Sequence, residues 1–490
     1  MPTPTETMIE QIQRQCQEMV TYVTGPASQT QTAGAVERAL FRQLLQLGAV
    51  LLRLFFASRA AVRPAPPSSE AGTVTWRYHD RRERTYFSIF GKVPVERHAF
   101  VASEQPVCCP LDAELSLPER CYSDLLQEWL AYGATETAYR ETATTLERVL
   151  GFRLSTQALE TAVAEAAADV VAFSEQPPDL TACTEADAVL VIQADGKGVP
   201  LIPPTPGARP VRRGKGQRAC PTREAIVTGL YRVAPYVRTP EQVTAALLRD
   251  PAAAEPAADR PRPAAKELRA TLAGKTAALT RLAARAGQWD GDAVQQRVAL
   301  TDGDEALQRL VRQHFPAVPL VLDIIHAVEY LWDAATALLG ERHPKRTAWV
   351  RRQLLRLLSG QVAEVIRRLE RLATHPSRTA AQCQALQRTS GYYRRNAPHM
   401  RYDAYLAAGW PIGTGVIESA CGHLVKARCD QAGMRWTQPG AQALLDLRAV
   451  RLNGDWDRYW DWHRQRQHHR RYGPAPDLPP PAEQQLTKAA

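Results

Sequence analysis

Hydrophobic positions recur with helical spacing in the first part of the chain. Leucines between Leu40 and Leu52 lie three, four and seven residues apart, which predicts a helix with a broad apolar face. The proline-rich stretch at 63–69 then interrupts the helical pattern. We therefore expect residues 1–65 to be helical, and we regard the apolar face at 38–57 as a candidate surface for self-association.

The pattern changes after this helical segment. Runs of aromatic and β-branched residues, with a turn at Gly91, predict a β-hairpin region built from the strands Thr73–Tyr78, Arg84–Phe90 and Val93–Phe100.

Helices return further along the same region. An amphipathic helix at Tyr139–Leu150, a turn at Gly151 and a second helix capped by Ser155 have the outline of a helix-turn-helix. Such a motif can place its second helix in a DNA groove, but simple helical packing produces the same pattern. Residues 70–180 are thus a candidate DNA-binding region.

Between 187 and 335, apolar strands alternate with helices, which predicts an α/β domain. The strand Ala188–Ala194 ends at Asp195, and a turn at Gly196–Gly198 leads into a second strand. The third predicted strand is Glu224–Val233, and a low-complexity stretch at 250–265 and a helix follow it. The fourth strand is Arg297–Thr301, ending at Asp302, and the fifth is Val318–Leu322, ending at Asp323.

This succession of strands and helices has the order of the RNase H-like fold. Helical, Arg- and Leu-rich sequence follows, and a loop at 409–415 leads into a helix at Val416–Arg428 that carries Glu418 in its first turn. The divisions we expect are a helical segment at 1–65, a DNA-binding region at 70–180, the first part of an RNase H-like core at 187–335, a helical insertion at 336–408, the end of the core at 409–465, and a basic, Pro-rich tail at 466–490.

Length and composition limit the class of protein. The chain has 490 residues, which favours several domains, and its net charge of +10 favours a polyanionic partner. Its longest apolar run, Ala49–Ala57, is interrupted by Arg53 and is shorter than a membrane-spanning helix, so we expect no membrane. Nine cysteines without a CxxC spacing favour a reducing, cytoplasmic location.

Three acidic residues form the pattern with chemical meaning: Asp195, Asp302 and Glu418. Carboxylates at the ends of neighbouring strands converge, and several close carboxylates ionise together only when cations neutralise them. Two divalent ions about 4 Å apart can stabilise both the attacking and the leaving oxygen of a phosphoryl transfer. Taken singly, each residue has a structural alternative, as a turn former or as a complement to a helix dipole. Asp323 is the rival for the second carboxylate.

Several segments of the sequence resemble the DDE transposases of bacterial insertion sequences. The similarity is greatest to the ISKra group (ISKra-four family), related to mutator-type transposases, and it covers most of residues 70–465. The segments that carry it are IQADGKGVP, ALTDGDEAL, LDIIHAVEYLW and GTGVIESACGHLVKARCDQAGMRWTQPGAQALLDLRAVRLNGDW.

The resemblance implies specific roles. It places the metal-binding triad on Asp195, Asp302 and Glu418, and a second signature on Asp323 and His326. It implies two Mg²⁺ ions, for which Mn²⁺ can substitute, hydrolysis at the transposon ends and transfer of the freed 3′-OH into target DNA. A dimer or higher oligomer follows from the need to hold two DNA ends. The family usually has an acidic residue where Ala427 stands.

Further residues near the triad could bind DNA through phosphate contacts or base stacking: Lys197, Arg428, Arg435 and Trp436. A solvated or structural basic face is the alternative. Cys421, His423 and Cys429 have zinc-ligand types, but their spacing within one helix favours packing.

Other functions remain open at this point. A nuclease or resolvase with the same fold would cleave DNA without joining it, and a transposase relic would bind DNA without either reaction. A glycosidase is disfavoured because aromatic residues make up 7% of the chain and do not cluster near the acids.

Overall fold

The computed structural model describes residues 4–67, 74–203, 221–250, 259–431 and 433–474. The chain divides into two compact units. Unit 1 combines residues 1–169 with 457–490, and unit 2 is Val170–Trp456. Unit 2 contains a mixed five-stranded sheet and unit 1 a two-stranded one, so the fold is mixed α/β.

Helices make up most of both units. The elements up to residue 233 are α1 Pro4–Thr24, α2 Pro26–Gln29, α3 Ala33–Ala60, β1 Arg77–Ser88, β2 Gly91–Val101, α4 Pro110–Glu114, α5 Asp124–Glu136, α6 Tyr139–Leu150, α7 Thr156–Ala167, α8 Val170–Phe173, β3 Val189–Pro200 and β4 Thr222–Val233. Those that follow are α9 Pro240–Leu247, β5 Ala265–Thr271, α10 Lys275–Trp289, β6 Gln296–Thr301, α11 Glu305–His314, β7 Leu320–Leu322, α12 Ile324–Leu339, α13 Arg346–Leu358, α14 Val362–Ala373, α15 Ala380–Asn396, a 3₁₀ turn at Ala397–His399, α16 Tyr402–Ala407, α17 Gly415–Ala420, a π-helical turn at Cys421–Lys426, α18 Ala427–Cys429, α19 Gln438–Leu452 and α20 Trp456–Tyr472.

The leucine-rich sequence forms α3, a helix of 28 residues with two kinds of apolar surface. One side is buried, with Phe56 packing against Tyr86 of β1. The other side exposes large apolar residues, namely Phe41, Leu44, Leu51 and Phe55. By length and composition α3 is also the one helix among the described residues that could cross a membrane, a property that the run Ala49–Ala57 alone had not indicated.

The β-hairpin of unit 1 has longer strands than the sequence predicts. Thr73 lies outside the described residues, and the expected strands Thr73–Tyr78 and Arg84–Phe90 belong to one strand, β1. β1 pairs antiparallel with β2 along its whole length, with a bulge near Tyr78. This continuous pairing satisfies the backbone of the charged middle of β1, whose composition had suggested a break.

The expected helix-turn-helix outline is present in its local structure. α6 ends at Gly151, whose φ of 79° is the left-handed conformation that favours glycine. Ser155 caps α7 by accepting a hydrogen bond from Ala158 N. Leu126, Leu150 and Leu159 form a shared apolar core beneath these helices. Contact with DNA stays a prediction.

Part of the expected tail is an ordered helix. Residues 466–472 belong to α20, where His463 donates from Nδ1 to Asp169 at 2.8 Å and Arg466 donates from Nε to the same carboxylate at 3.1 Å. Arg470 also binds Asp169, whose side chain is 3% exposed. The basic residues of α20 thus partly neutralise a buried acid, and residues 475–490 lie outside the described part of the chain.

The sheet of unit 2 has the strand order β5-β4-β3-β6-β7. β3, β4 and β5 are antiparallel neighbours, whereas β6 and β7 run parallel to β3. The central strand, β3, is therefore buried between antiparallel and parallel neighbours. Parallel strands end at the same edge of a sheet, which places the residues after β6 and β7 together.

The expected turn at Gly196–Gly198 is wrong. β3 continues through Asp195 to Pro200, because these residues pair with Thr222–Val227 of β4. The Glu224 carboxylate lies over Gly196, where a Cβ would come within 2.2 Å of its Oε1, so a larger residue would displace the Glu224 side chain. Glycines inside a strand resemble a turn signal in sequence, and here both Gly196 and Gly198 lie within the paired length of β3.

Strand β5, at the sheet edge, was missed by the sequence prediction. Its exposed backbone groups are bound by amide side chains of α19 and of the residue that follows it. Gln442 accepts from Leu272 N and donates to Ala270 O, while Asn453 accepts from Leu268 N and donates to Leu268 O. A covered edge protects the sheet against pairing with another chain.

The segment 336–408 is helical, as predicted. Leucines of α13 and α14, including Leu354, Leu357 and Leu369, share one buried cluster with Val189 of β3 and Val321 of β7. The helical segment is therefore part of the core that supports the central strands.

We expect the exposed face of α3 to mediate self-association. Replacing Leu44, Leu51 and Phe55 together by Ser should lower the particle mass toward that of one chain, because less apolar surface would be buried. The mass would be measured by light scattering. Replacing Gln46 and Arg53 by Ser provides the control. An unchanged mass would exclude this face as the interface, and a loss of vesicle binding in flotation would instead identify a membrane contact.

Asp169 should contribute to stability in a pH-dependent way. Burial opposes its ionisation, but the hydrogen bond and charge of His463, together with Arg470, lower the pKa of Asp169 to about 2. Asp169→Asn should lower the free energy of unfolding by about 1–3 kcal/mol at neutral pH. Since the folded pKa lies below the ordinary value of 3.8, this difference should persist above about pH 4 and shrink as the pH falls toward 2.

Urea unfolding at several pH values measures this effect. The control is Asp461→Asn, which breaks a solvent-exposed pair with Arg464. Equal losses in the two variants would contradict a special role for Asp169.

Candidate functional site

Asp195 lies on the central strand and faces the helix that carries Glu418. Its Oδ1 accepts a hydrogen bond from Gly196 N at 2.6 Å, and its Oδ2 accepts one from Cys421 Sγ at 3.3 Å. Residues two apart on a strand share a face, so Gln193 and Lys197 lie on the same side as Asp195. Asp195 is thereby joined directly to the π-helical turn after α17.

Asp302 directly follows the neighbouring parallel strand, β6. Gln193 of β3 pairs with Leu300 of β6, so Asp195 and Asp302 each lie two residues beyond this last pair. Oδ1 of Asp302 accepts from Asp304 N at 3.0 Å, and its carbonyl oxygen accepts from Tyr392 Oη at 2.9 Å. The register thus brings the backbones of the two predicted carboxylates to the same part of the sheet.

Asp323 follows β7 and is fully buried. Its Oδ1 accepts from Ile325 N and from Thr414 N, both at 3.1 Å. Its Oδ2 is 2.8 Å from Thr414 Oγ1 and 2.7 Å from His326 Nδ1. Burial alone would raise the pKa of Asp323, but the hydrogen bonds from His326 and Thr414 lower it below its ordinary value.

His326 is the basic partner of this acid. The hydrogen bond to Asp323 raises the pKa of His326 to about 9 in spite of partial burial, and the charges of Asp323, Glu329 and Asp302 act in the same direction. At neutral pH the imidazole is therefore protonated and donates from Nδ1 to the Asp323 carboxylate. The protonated imidazole of His326 therefore interacts favourably with the negative charge of Asp302 as well as with Asp323.

Glu418 lies in α17, close to Asp323. Its Oε1 is 2.9 Å from Thr414 Oγ1, the hydroxyl that also contacts Asp323. Partial burial raises the pKa of Glu418, the bond from Thr414 opposes this rise, and the negative charge of Asp323 adds to it. Because one hydroxyl has one proton, Thr414 can donate to only one of the two carboxylates at a time.

One group of potential metal ligands is present in the described ranges. Ligand atoms of Asp323, His326 and Glu418 lie within 4.8 Å of one another. The predicted residues Glu418 and His326 are thus brought together with the rival carboxylate, while Asp195 and Asp302 are outside this group. A cation suits the carboxylate oxygens by type, whereas the protonated imidazole of His326 cannot act as a ligand.

The helix that carries Glu418 widens into a π-helical turn at Cys421–Lys426. Arg448 of α19 is 5% exposed and donates from Nε to Leu424 O at 2.9 Å and from Nη2 to His423 O. These bonds satisfy carbonyl groups of the widened turn. Such π-helical segments are frequent at functional sites.

The predicted DNA-binding residues occupy different environments. Arg435 is exposed and Lys197 is partly buried. Arg428 is 1% exposed, with its guanidinium 4.9 Å from the ring centroid of Trp436, and Trp436 donates from Nε1 to Cys429 O. Arg428 and Trp436 therefore pack inside the unit and present no surface to DNA in this conformation.

Sequence analysis missed Gln193, Thr414 and Cys421 as members of the site. Cys421 was assigned to packing, yet its thiol contacts Asp195. The available signal was its position three residues after Glu418, since residues three apart share a helix face.

No family model and no curated protein matches the chain. Among solved structures, the chain is similar to the Drosophila P element transposase strand transfer complex. The sequence identity is 9%, the alignment covers 75% of this chain and 85% of that chain, and the TM-score is 0.23. At such a TM-score the likeness carries no argument about function.

The ion pair of His326 gives a direct prediction. In an NMR titration His326 should show a pKa of about 9, and Asp323→Asn should return it toward the ordinary value of 6.5. Since the folded pKa is raised, the stabilisation should be complete below about pH 6.5 and lost as the pH rises through 9. Asp333→Asn on the same helix, which breaks an exposed pair, is the control. An unchanged His326 pKa in Asp323→Asn would contradict the assignment.

Proposed function

We propose that the chain is a DNA transposase that hydrolyses the phosphodiester at transposon ends and transfers the resulting 3′-OH into target DNA. The observation that carries the proposal is the connection of Glu418 to acids at two strands. Its helix contacts Asp195 through Cys421 and Asp323 through Thr414. These are carboxylates of the kind that phosphoryl-transfer sites require, in segments that resemble insertion-sequence transposases.

The strand arrangement supports an RNase H-like core as part of this proposal. Three antiparallel strands are followed by two that run parallel to the first, which lies at the centre of the sheet. In an RNase H-like core the first strand, here β3, and the end of the fourth, here β6, supply neighbouring acids. Asp195 lies in β3 and Asp302 directly follows β6.

The carboxylates fit divalent cations by their chemistry. Oxygen ligands are those that Mg²⁺ prefers. Burial, with the negative charge of Asp323, raises the pKa of Glu418, and a bound cation would oppose that rise. We propose that Asp195, Asp302 and Glu418 hold the ions, with Asp323 supporting Glu418 through Thr414. Bound Mg²⁺ would stabilise the charge that develops on the attacking and leaving oxygens.

Other side chains would position the DNA. Protonated His326 can donate its second N–H to a phosphate oxygen, and Lys197 and exposed Arg435 can contact the backbone. Arg428 and Trp436, being buried, are not included. In each step a P–O bond forms as another breaks, first with water and then with the 3′-OH, so no covalent link to a Tyr or Ser of the protein is required.

Strand transfer in vitro tests the function. With Mg²⁺ and a labelled duplex from the DNA that flanks the gene, the wild type should yield joined product. Glu418→Gln should lower the rate at least about 100-fold because a charged ligand is lost. Glu364→Gln, on an exposed face of α14, should retain the wild-type rate.

Other outcomes identify the alternatives. Cleavage without joining would indicate a nuclease or resolvase at the same site. Binding without either reaction would indicate a relic, and Ala427 would then be replaced by Glu to restore the acidic residue usual in the family. Activity that survives Glu418→Gln would contradict the proposed site.

A further inference from the structure

Two polar contacts join β3 to the helix that carries Glu418. Oε1 of Gln193 accepts a hydrogen bond from Ile417 N at 3.1 Å, and Gln193 is 1% exposed. Oδ2 of Asp195 accepts one from the Cys421 thiol at 3.3 Å, and Cys421 is 4% exposed. We call the pair Gln193 and Cys421 the strand–helix clasp.

The spacing of the two contacts fixes the register between strand and helix. Gln193 and Asp195 are two residues apart on a strand, which is about 6.6 Å. Ile417 and Cys421 are four residues apart on a helix, which is about 6 Å along its axis. Because these lengths match, both contacts form together only when the helix runs alongside the strand in one register.

This register determines where Glu418 lies. Glu418 follows Ile417 directly, and it shares a helix face with Cys421 three residues later. A displacement of the helix by one residue would break both clasp contacts and move Glu418 relative to Asp195. The clasp therefore sets the relative placement of two proposed metal ligands without itself contributing a ligand.

Gln193 has a second effect on the start of α17. Backbone N–H groups in the first turn of a helix have no acceptor within that helix. Thr414 precedes α17 but provides no side-chain cap, because its hydroxyl faces Asp323 and Glu418. Gln193 supplies the acceptor for Ile417 N from the neighbouring strand.

We infer that Gln193 and Cys421 are positioning residues for the Asp195 and Glu418 carboxylates. The catalytic part of this inference rests on the proposed function. The structural part, that the clasp orders the start of α17, does not depend on any activity.

Hydrogen exchange tests the structural part on the full chain. In Gln193→Leu the amides of 415–421 should exchange about tenfold faster or more, because Ile417 N loses its buried acceptor. The control is Gln308→Leu, which removes another buried amide, bound to Asn396. If Gln193→Leu is unfolded, Cys421→Ala provides the same measurement with a smaller change. Unaltered exchange of 415–421 in folded variants of both residues would overturn the clasp.

Magnesium dependence tests the catalytic part. Cys421→Ala should raise the Mg²⁺ concentration for half-maximal strand transfer about tenfold, since small misplacements of reacting groups are costly. Cys421→Ser should recover part of this loss, because a hydroxyl also donates a hydrogen bond. Cys429→Ala is the matched control, as Cys429 is also buried and lies in α18, directly after the π-helical turn that begins with Cys421.

The two arms separate the possible failures. Equal Mg²⁺ dependence in Cys421→Ala and Cys429→Ala would overturn the positioning role. If the wild type joins no DNA, the proposed function fails, and hydrogen exchange alone still decides whether the clasp exists.

Discussion

Burial of the Asp323 carboxylate is the constraint on which the rest of the site depends. An ionised carboxylate without partners costs several kcal/mol inside a protein, so its donors must remain in place. These donors come from two parts of the chain, His326 on α12 and Thr414 before α17. Because Thr414 also contacts Glu418, the hydrogen bonds that stabilise the buried Asp323 carboxylate place protonated His326 and the acid Glu418 next to it.

The Glu418 helix is consequently anchored on two sides. Thr414 connects it to the end of β7, and the strand–helix clasp connects it to β3, so its position follows from two strands that are not adjacent in the sheet. β6 lies between them and ends at Asp302. The helix that carries Glu418 thus contacts acids at two strands, Asp195 on β3 and Asp323 after β7. Partial burial raises the pKa of Glu418, and the negative charge of Asp323 adds to that rise.

The sequence predicted those features that depend on local signals. The helix at Glu418, the cap at Ser155 and the strands β4, β6 and β7 follow from periodicity and capping chemistry, which act over a few residues. The turn expected at Gly196 was wrong because residues 195–200 pair with residues 222–227 of β4. β5 was missed because amide groups of Gln442 and Asn453 complete its edge. Both cases depend on partners distant in sequence.

The site shows the same division between residue type and environment. Acids at strand ends could be recognised from pattern, but the contacts of Gln193 and Cys421 join positions more than 220 residues apart, which no local signal encodes. Arg428 and Trp436 illustrate the converse. A basic and an aromatic residue beside an acidic centre resemble a DNA-binding pair in sequence, yet they stack on each other in the interior. The Arg428 guanidinium lies over the Trp436 ring, a contact that an arginine also makes with a nucleic-acid base, so residue type alone does not separate the two roles.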